Sequence, residues 1–322
     1  MSRARPATGG ALAALLGAVT LLVGCGGTGS PEAQAPVRAY SDRNPAIAEI
    51  PRATPADYRA PIAAYRRYVR AQLGTMLGEV GDLRAALERG DLTAARAAWT
   101  DASATYESIG AAYGAFGDLD AAIDGRPDGL AGGAGSPDFT GLHRVELALW
   151  GRSSTADAAA PAARLEMDVG TLRRRLPRLE IAPLEYSLRA HEVLEDALHL
   201  QLGGDASRWS GSSLAAVRSE VAGTRVVLGT LAPLIARRDA AGVLPASRRA
   251  LDRLDAELRR LQRPDGTLPR WDTLPQCDKE RVSGLVAGAA EHLAYVPELI
   301  DPRPSRPARS ALATTTPGGT DG

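Results

Sequence analysis

PIAAYRRYVRAQLGTMLGEVGDLRAALERGD, residues 61–91, decides the fold. Ile62, Tyr65, Val69, Leu73, Met76, Val80, Leu83 and Leu87 step by three or four throughout, which is one apolar stripe along one long helix. Gly90-Asp91 breaks the pattern, and Asp91 is a suitable N-cap for a second helix. On that helix Trp99, Ala102, Tyr106, Ile109 and Tyr113 repeat the spacing. Residues 124–138 hold five glycines and two prolines and read as a loop. Thr140 is placed to cap a third helix carrying Leu142, Val145, Leu149 and Trp150. Pro161 suits the first turn of a fourth, ending near Leu179, and Pro183 opens a fifth that Gly203-Gly204 stops after Leu202. Stripes at Leu214–Ile235, Leu251–Leu261 and Val282–Val296 mark three more. No stretch sustains strand alternation. Eight helices with mostly short connections predict an all-α protein of two packed four-helix bundles, the simplest burial for eight stripes.

Composition agrees and excludes other classes. The 322 residues balance 38 basic against 38 acidic side chains, which argues against a dedicated nucleic-acid binder. Two cysteines cannot build a disulfide scaffold or a four-cysteine zinc site. Lys279 is the one lysine, so the arginine excess follows from codon bias rather than from phosphate recognition.

The first residues read as an export signal. Arg3 and Arg5 precede the apolar run Ala11–Val23, too short to span a bilayer as a helix but suited to a signal. Leu22-Val23-Gly24-Cys25 resembles a bacterial lipobox, in which the cysteine is acylated and becomes the mature N-terminus. The expected organisation is a lipoprotein signal at 1–24 and a flexible membrane tether at 25–55. A helical domain at 56–300 and a Pro-, Ser- and Thr-rich disordered tail at 301–322 complete it.

Four histidines occur: His143, His191, His199 and His292. His143 and Glu146 are three apart, on one helix face, where an imidazole and a carboxylate can grip one metal ion. An ordinary His–Glu hydrogen bond has the same spacing. In His191-Glu192-Val193-Leu194-Glu195-Asp196, with His199 beyond it, the acids and His199 share adjoining parts of one face, and Glu195 and His199 can pair. A solvated charged face would look alike. The zinc-protease pattern His-Glu-x-x-His fails because Glu195 holds the second histidine position. Glu107 borders the apolar stripe and requires a partner if it turns inward, either a metal or an arginine. Such a set of carboxylates and imidazole without thiolate suits iron, manganese or zinc. Neither a G-x-S-x-G motif nor a phosphate loop ending in G-K-[ST] is present.

Three ordered stretches carry a resemblance: Tyr106–Asp120, Asp138–Trp150 and Arg189–Leu198. Together they resemble the imelysin-type EfeO/EfeM family, and the likeness covers most of residues 56–300. The resemblance implies an exported pair of four-helix bundles that binds iron, ferrous or ferric, for a bacterial uptake system containing a membrane permease and a haem peroxidase. It maps the metal ligands onto Glu107, His143, Glu146 and Glu192, with Glu195 or Asp118 as alternatives to Glu192. It implies a lipid-anchored protein on the extracytoplasmic face of the cell membrane, and a binding protein rather than an enzyme. The chain resembles the family's short form, without a cupredoxin domain. Metal affinity is then expected to fall with acid as His143 protonates near its ordinary value of about 6.5. Two other readings compete. One is a metallopeptidase-like hydrolase; the other is a polysaccharide- or partner-binding lipoprotein using Arg173, Arg174 and Arg175.

Overall fold

The computed structural model describes residues 52–239 and 242–302. Cys25, the signal at 1–24, most of the tether and the tail beyond 302 lie outside the described residues. Packing begins slightly before the expected domain boundary: Ala53 is buried, and Thr54 exchanges hydrogen bonds with Asp57 at the entry to the first helix.

The described residues form an all-α fold. The first bundle contains α1 (Arg59–Glu88), α2 (Leu92–Glu107), a short α3 (Asp118–Asp124), α4 (Gly141–Glu146) and α5 (Thr155–Arg175). The second contains α6 (Pro183–Asp196), α7 (Ser213–Ala236), α8 (Val243–Leu261) and α9 (Gln276–Ile300). Helix α1 packs on both α2 and α5, helix α9 on both α6 and α8, and α7 touches members of both groups. Every residue of the α1 stripe is buried except Ile62, which packs against the core from its edge. Full burial of such side chains, at about 1.5–3 kcal/mol each, drives the association of the helices.

Four local expectations are corrected. Helix α2 stops at Glu107, and the chain continues as a 3₁₀ segment, Gly110–Ala115. There Tyr113 folds back to stack on Tyr106 at 4.9 Å, and its hydroxyl donates to the Tyr106 carbonyl at 2.8 Å. Asp124 ends the unexpected α3 rather than opening a loop. Pro161 is not at a helix start: Ser154 caps α5 by accepting from the Asp157 amide, and Pro161 lies in the helix interior. Thr140 precedes α4 without capping it; its hydroxyl donates to the Ala122 carbonyl at 3.0 Å.

Two helices end in π-helical turns, Leu147–Gly151 after α4 and Ala197–Gln201 after α6. Such turns re-aim side chains relative to regular helix and recur at functional sites.

Candidate metal centre

Glycine sets the approach of the elements that carry the site. Gly141 opens α4 at φ +76°, and a Cβ there would fall 2.2 Å from the Ile123 carbonyl oxygen. Only glycine lets α4 lie this close to the end of α3. Two residues later His143 faces Asp124. The Trp99 indole N–H, from α2, fixes the same turn by donating to the Leu142 carbonyl at 2.9 Å. Between the bundles, a Cβ on Gly223 of α7 would stand 2.1 Å from the Ser108 carbonyl oxygen. That near-contact brings Glu220, one turn earlier on α7, toward Glu107 at the end of α2.

The His143–Glu146 pair is fully built. Glu146 is completely buried. Its Oε2 lies 3.1 Å from His143 Nδ1. Its Oε1 accepts from the Trp209 amide at 3.1 Å and from both the amide and hydroxyl of Ser210 at 2.7 Å. Three of the four contacts fall on Oε1 and saturate it, while Oε2 meets His143 alone. Glu146 therefore orients the imidazole and ties it to the 209–210 turn.

His143 Nε2 points the other way. It is buried without a hydrogen-bond partner and faces Asp124 Oδ1 at 3.4 Å. Burial disfavours the imidazolium, but Asp124 and Glu146 outweigh it and raise the pKa to about 10. The expected titration near 6.5 is thus corrected: His143 carries its proton across the neutral range, and a cation at Nε2 must displace it.

Glu107 is buried at the end of α2. Its Oε1 accepts from the Gln201 amide at 2.9 Å, supplied by the second π-helical turn. Burial first and Asp124 second push its pKa to about 8, against the opposing pull of His143 and Gln201. Glu220, also buried, has an Oε2 with no hydrogen-bond partner. Burial and the charges of Glu107, Asp196 and Asp124 hold its carboxyl well above the usual range, Arg189 opposing.

Glu107, Asp124, Glu192 and Glu220 line one cavity of about 500 Å³. Its wall contains seven acidic residues against two arginines, Arg126 and Arg189. Glu192 is in this wall but paired with Arg189 at 3.6 Å, an arginine that also holds Asp196 at 3.0 Å. Glu195 is exposed and faces His191 at 3.9 Å rather than the expected His199. The π-helical turn from Ala197 breaks the four-residue register between Glu195 and His199. Asp118 lines a different hollow, with Phe139 and Arg164. Among the described residues, no three His, Cys, Asp or Glu side chains already stand at coordinating positions.

Sequence reasoning missed Asp124 and Glu220. Asp124 stands at the edge of a stretch whose glycines and prolines mark it as loop. Glu220 has a visible signal: it interrupts the buried side of α7, between Val217 and Val221, where a carboxylate is costly without a partner.

Residues 61–296 match the family model Peptidase_M75, described as Imelysin. The chain is 27% identical over 248 residues to the iron uptake system component EfeM of Pseudomonas syringae pv. syringae (strain B728a), spanning 77% of this chain and 87% of that protein. It is 28% identical over 235 residues to the iron uptake system component EfeO of Escherichia coli (strain K12), spanning 73% of this chain and 62% of that protein. EfeO of Shigella flexneri matches to the same extent. The chain thus spans less than two thirds of EfeO.

Proposed function

This chain belongs to the imelysin family, and on that premise we propose that it captures iron outside the cytoplasmic membrane as a component of an uptake system. A lipid anchor at Cys25 would hold it at the membrane, and a permease and a haem peroxidase of the same system are its proposed partners. The observation that supports cation capture is Glu220. A buried carboxyl oxygen without a partner, its ionisation opposed by burial and by Glu107 and Asp124, is a group that a metal ion would satisfy by displacing its proton.

The proposed ligand set is His143 Nε2, Asp124, Glu107 and Glu220, with Glu192 at the cavity wall. Glu146 is moved from the ligands to the residue that positions His143. Hard carboxylate oxygens with one imidazole suit iron, and equally zinc or manganese in competition. The role is coordination and release. A hydrolase reading is the weaker one: His143 and Glu146 are bound to each other, and Glu146 is also held by the 209–210 turn.

Calorimetric titration of the chelator-stripped chain with ferrous iron, ferric citrate, zinc and manganese tests the proposal. Tight iron binding that is lost in His143→Ala and Asp124→Asn is the expected result. Unchanged affinity in both variants sinks it. Tight zinc binding with weak iron binding would reopen the hydrolase reading.

A further inference from the structure

The arginines of the chain are not distributed evenly. From Arg59 to Gly78 helix α1 contains no acid, and neither does the stretch 169–179 that ends α5. Helices α1 and α5 pack together, so these two acid-free stretches adjoin. Arg66 confirms the contact by donating to the Leu179 carbonyl at 2.8 Å. Arg70, Arg173 and Arg174 converge on a hollow of about 370 Å³ whose lining includes no carboxylate. Arg67, Arg175 and Arg178, on the same two stretches, are exposed.

These six arginines are not neutralised by acids of the chain. Among the described residues none of them lies within ion-pair distance of an acid, and Arg174 donates only to the Thr171 hydroxyl at 2.9 Å. Some other surface arginines are paired, Arg225 with Asp252 at 2.8 Å and Arg208 with Asp128 at 3.0 Å, whereas Arg248, Arg249 and Arg253 on α8 also stand without an acid at ion-pair distance; what sets the patch apart is the adjoining of two acid-free stretches. Of the bounding acids, Asp168 is engaged by Arg164 at 2.7 Å, Glu79 accepts from the Thr105 hydroxyl at 3.0 Å, and Glu180 is not within ion-pair distance of any of the six. No residue of the patch lines the acidic cavity.

We propose that this patch docks the domain on an anionic phospholipid surface. The place where the chain enters the fold selects that occupant. The packed domain begins near Ala53, and Arg67 and Arg70 stand only about 12–17 Å along α1 from its start at Arg59. If Cys25 is acylated, the residues between it and Arg52 reach at most about 90 Å, so the membrane surface stays within that distance of the patch-bearing domain. Guanidinium groups pair bidentately with phosphate oxygens, and each basic side chain near an anionic leaflet strengthens partitioning about fivefold. The occupant is inferred from the anchor reading and is independent of the metal reading.

The test uses the exported chain, residues 25–322, carrying C25S so that no acyl group contributes. It is co-sedimented with vesicles of phosphatidylcholine alone or with phosphatidylglycerol added, at low and high salt. Expected is binding to the phosphatidylglycerol vesicles only, weakened by salt. The variant R70Q/R173Q/R174Q lowers it by roughly a hundredfold. R248Q/R249Q/R253Q, an equal loss of exposed charge on α8, leaves it unchanged. Metal titration of the R70Q/R173Q/R174Q protein matches the parent and certifies its fold. Absence of phosphatidylglycerol binding, or equal loss in the two triple variants, overturns the proposal. Patch-dependent binding of an acidic polysaccharide or an acidic peptide with none to vesicles also overturns it, in favour of that partner.

Discussion

Glu146 Oε2 meets His143 Nδ1 at 3.1 Å, and through that contact the imidazole is held with its other nitrogen toward Asp124. The second carboxylate oxygen is occupied by the 209–210 turn. A His-x-x-Glu pair can therefore serve a metal site with only the histidine as ligand.

That relationship separates two variants. Glu146→Gln is expected to weaken metal affinity by about 10–100-fold, the usual cost of losing an orienting partner. His143→Ala removes the ligand and abolishes binding. Glu146→Ala additionally strands the Trp209 and Ser210 amides, costing about 1–3 kcal/mol in chemical denaturation. Equal metal loss in Glu146→Gln and His143→Ala would make Glu146 a ligand after all.

Glu220→Gln removes a buried carboxyl that the fold must keep protonated and that lacks a hydrogen-bond partner at Oε2. The apo protein is expected to gain on the order of 1 kcal/mol at pH 8, while metal affinity falls at least about tenfold. Opposite signs for stability and binding are the outcome to look for in paired thermal and calorimetric measurements. A loss of apo stability would mean that Glu220 already has a partner in solution.

The pH dependence of the apo protein follows from two raised pKa values. Glu107, at about 8 in the fold by burial and Asp124, keeps a proton that an unfolded carboxyl releases near 4.5. His143, lowered by burial but raised further by Asp124 and Glu146 to about 10, likewise binds its proton more tightly than in the unfolded chain. Its contribution is complete below about 6.5 and lost as pH climbs through 10. Both slopes have one sign: the folded state holds more protons. Between pH 6 and 9 the apo melting temperature is expected to fall, on the order of 5 °C, and the stabilisation by added zinc or manganese to grow. A flat apo profile in differential scanning calorimetry would refute the assignment.

Gly223→Ala places a methyl group 2.1 Å from the Ser108 carbonyl oxygen, a backbone atom that cannot rotate away. The bundles must separate there. We expect a loss of about 1–3 kcal/mol, and weaker metal binding because Glu220 moves from Glu107. Gly229→Ala, on the same helix with open space around its Cβ, is the control and should be neutral or slightly stabilising.

What the chain reveals before folding depends on range. The α1 stripe from Tyr65 to Leu87 is legible because a long helix buries one face at a fixed period. Helix α3 is not, since seven residues between glycines have no stability of their own and form by packing on α4 and α5. Pro161 misleads because the Ser154 cap, an earlier and stronger start, overrides it. At the site, His143, Glu146 and Glu107 are legible as types and spacing. The division of labour between His143 and Glu146 is not, because it is set by Trp209 and Ser210, more than sixty residues away. Asp124 and Glu220 join the cavity only through the close approaches at Gly141 and Gly223.

The contact at Gly223 and Ser108 has a mechanical meaning. It is a seam between two halves of the molecule, with Glu107 on one side and Glu220 on the other. Burial and mutual repulsion keep both carboxyls protonated, so nothing bridges the seam; an ion shared by both would fasten it. On the proposed function, cargo and rigidity would then be one variable, and a loaded molecule would differ from an empty one in stiffness at a distance from the ion.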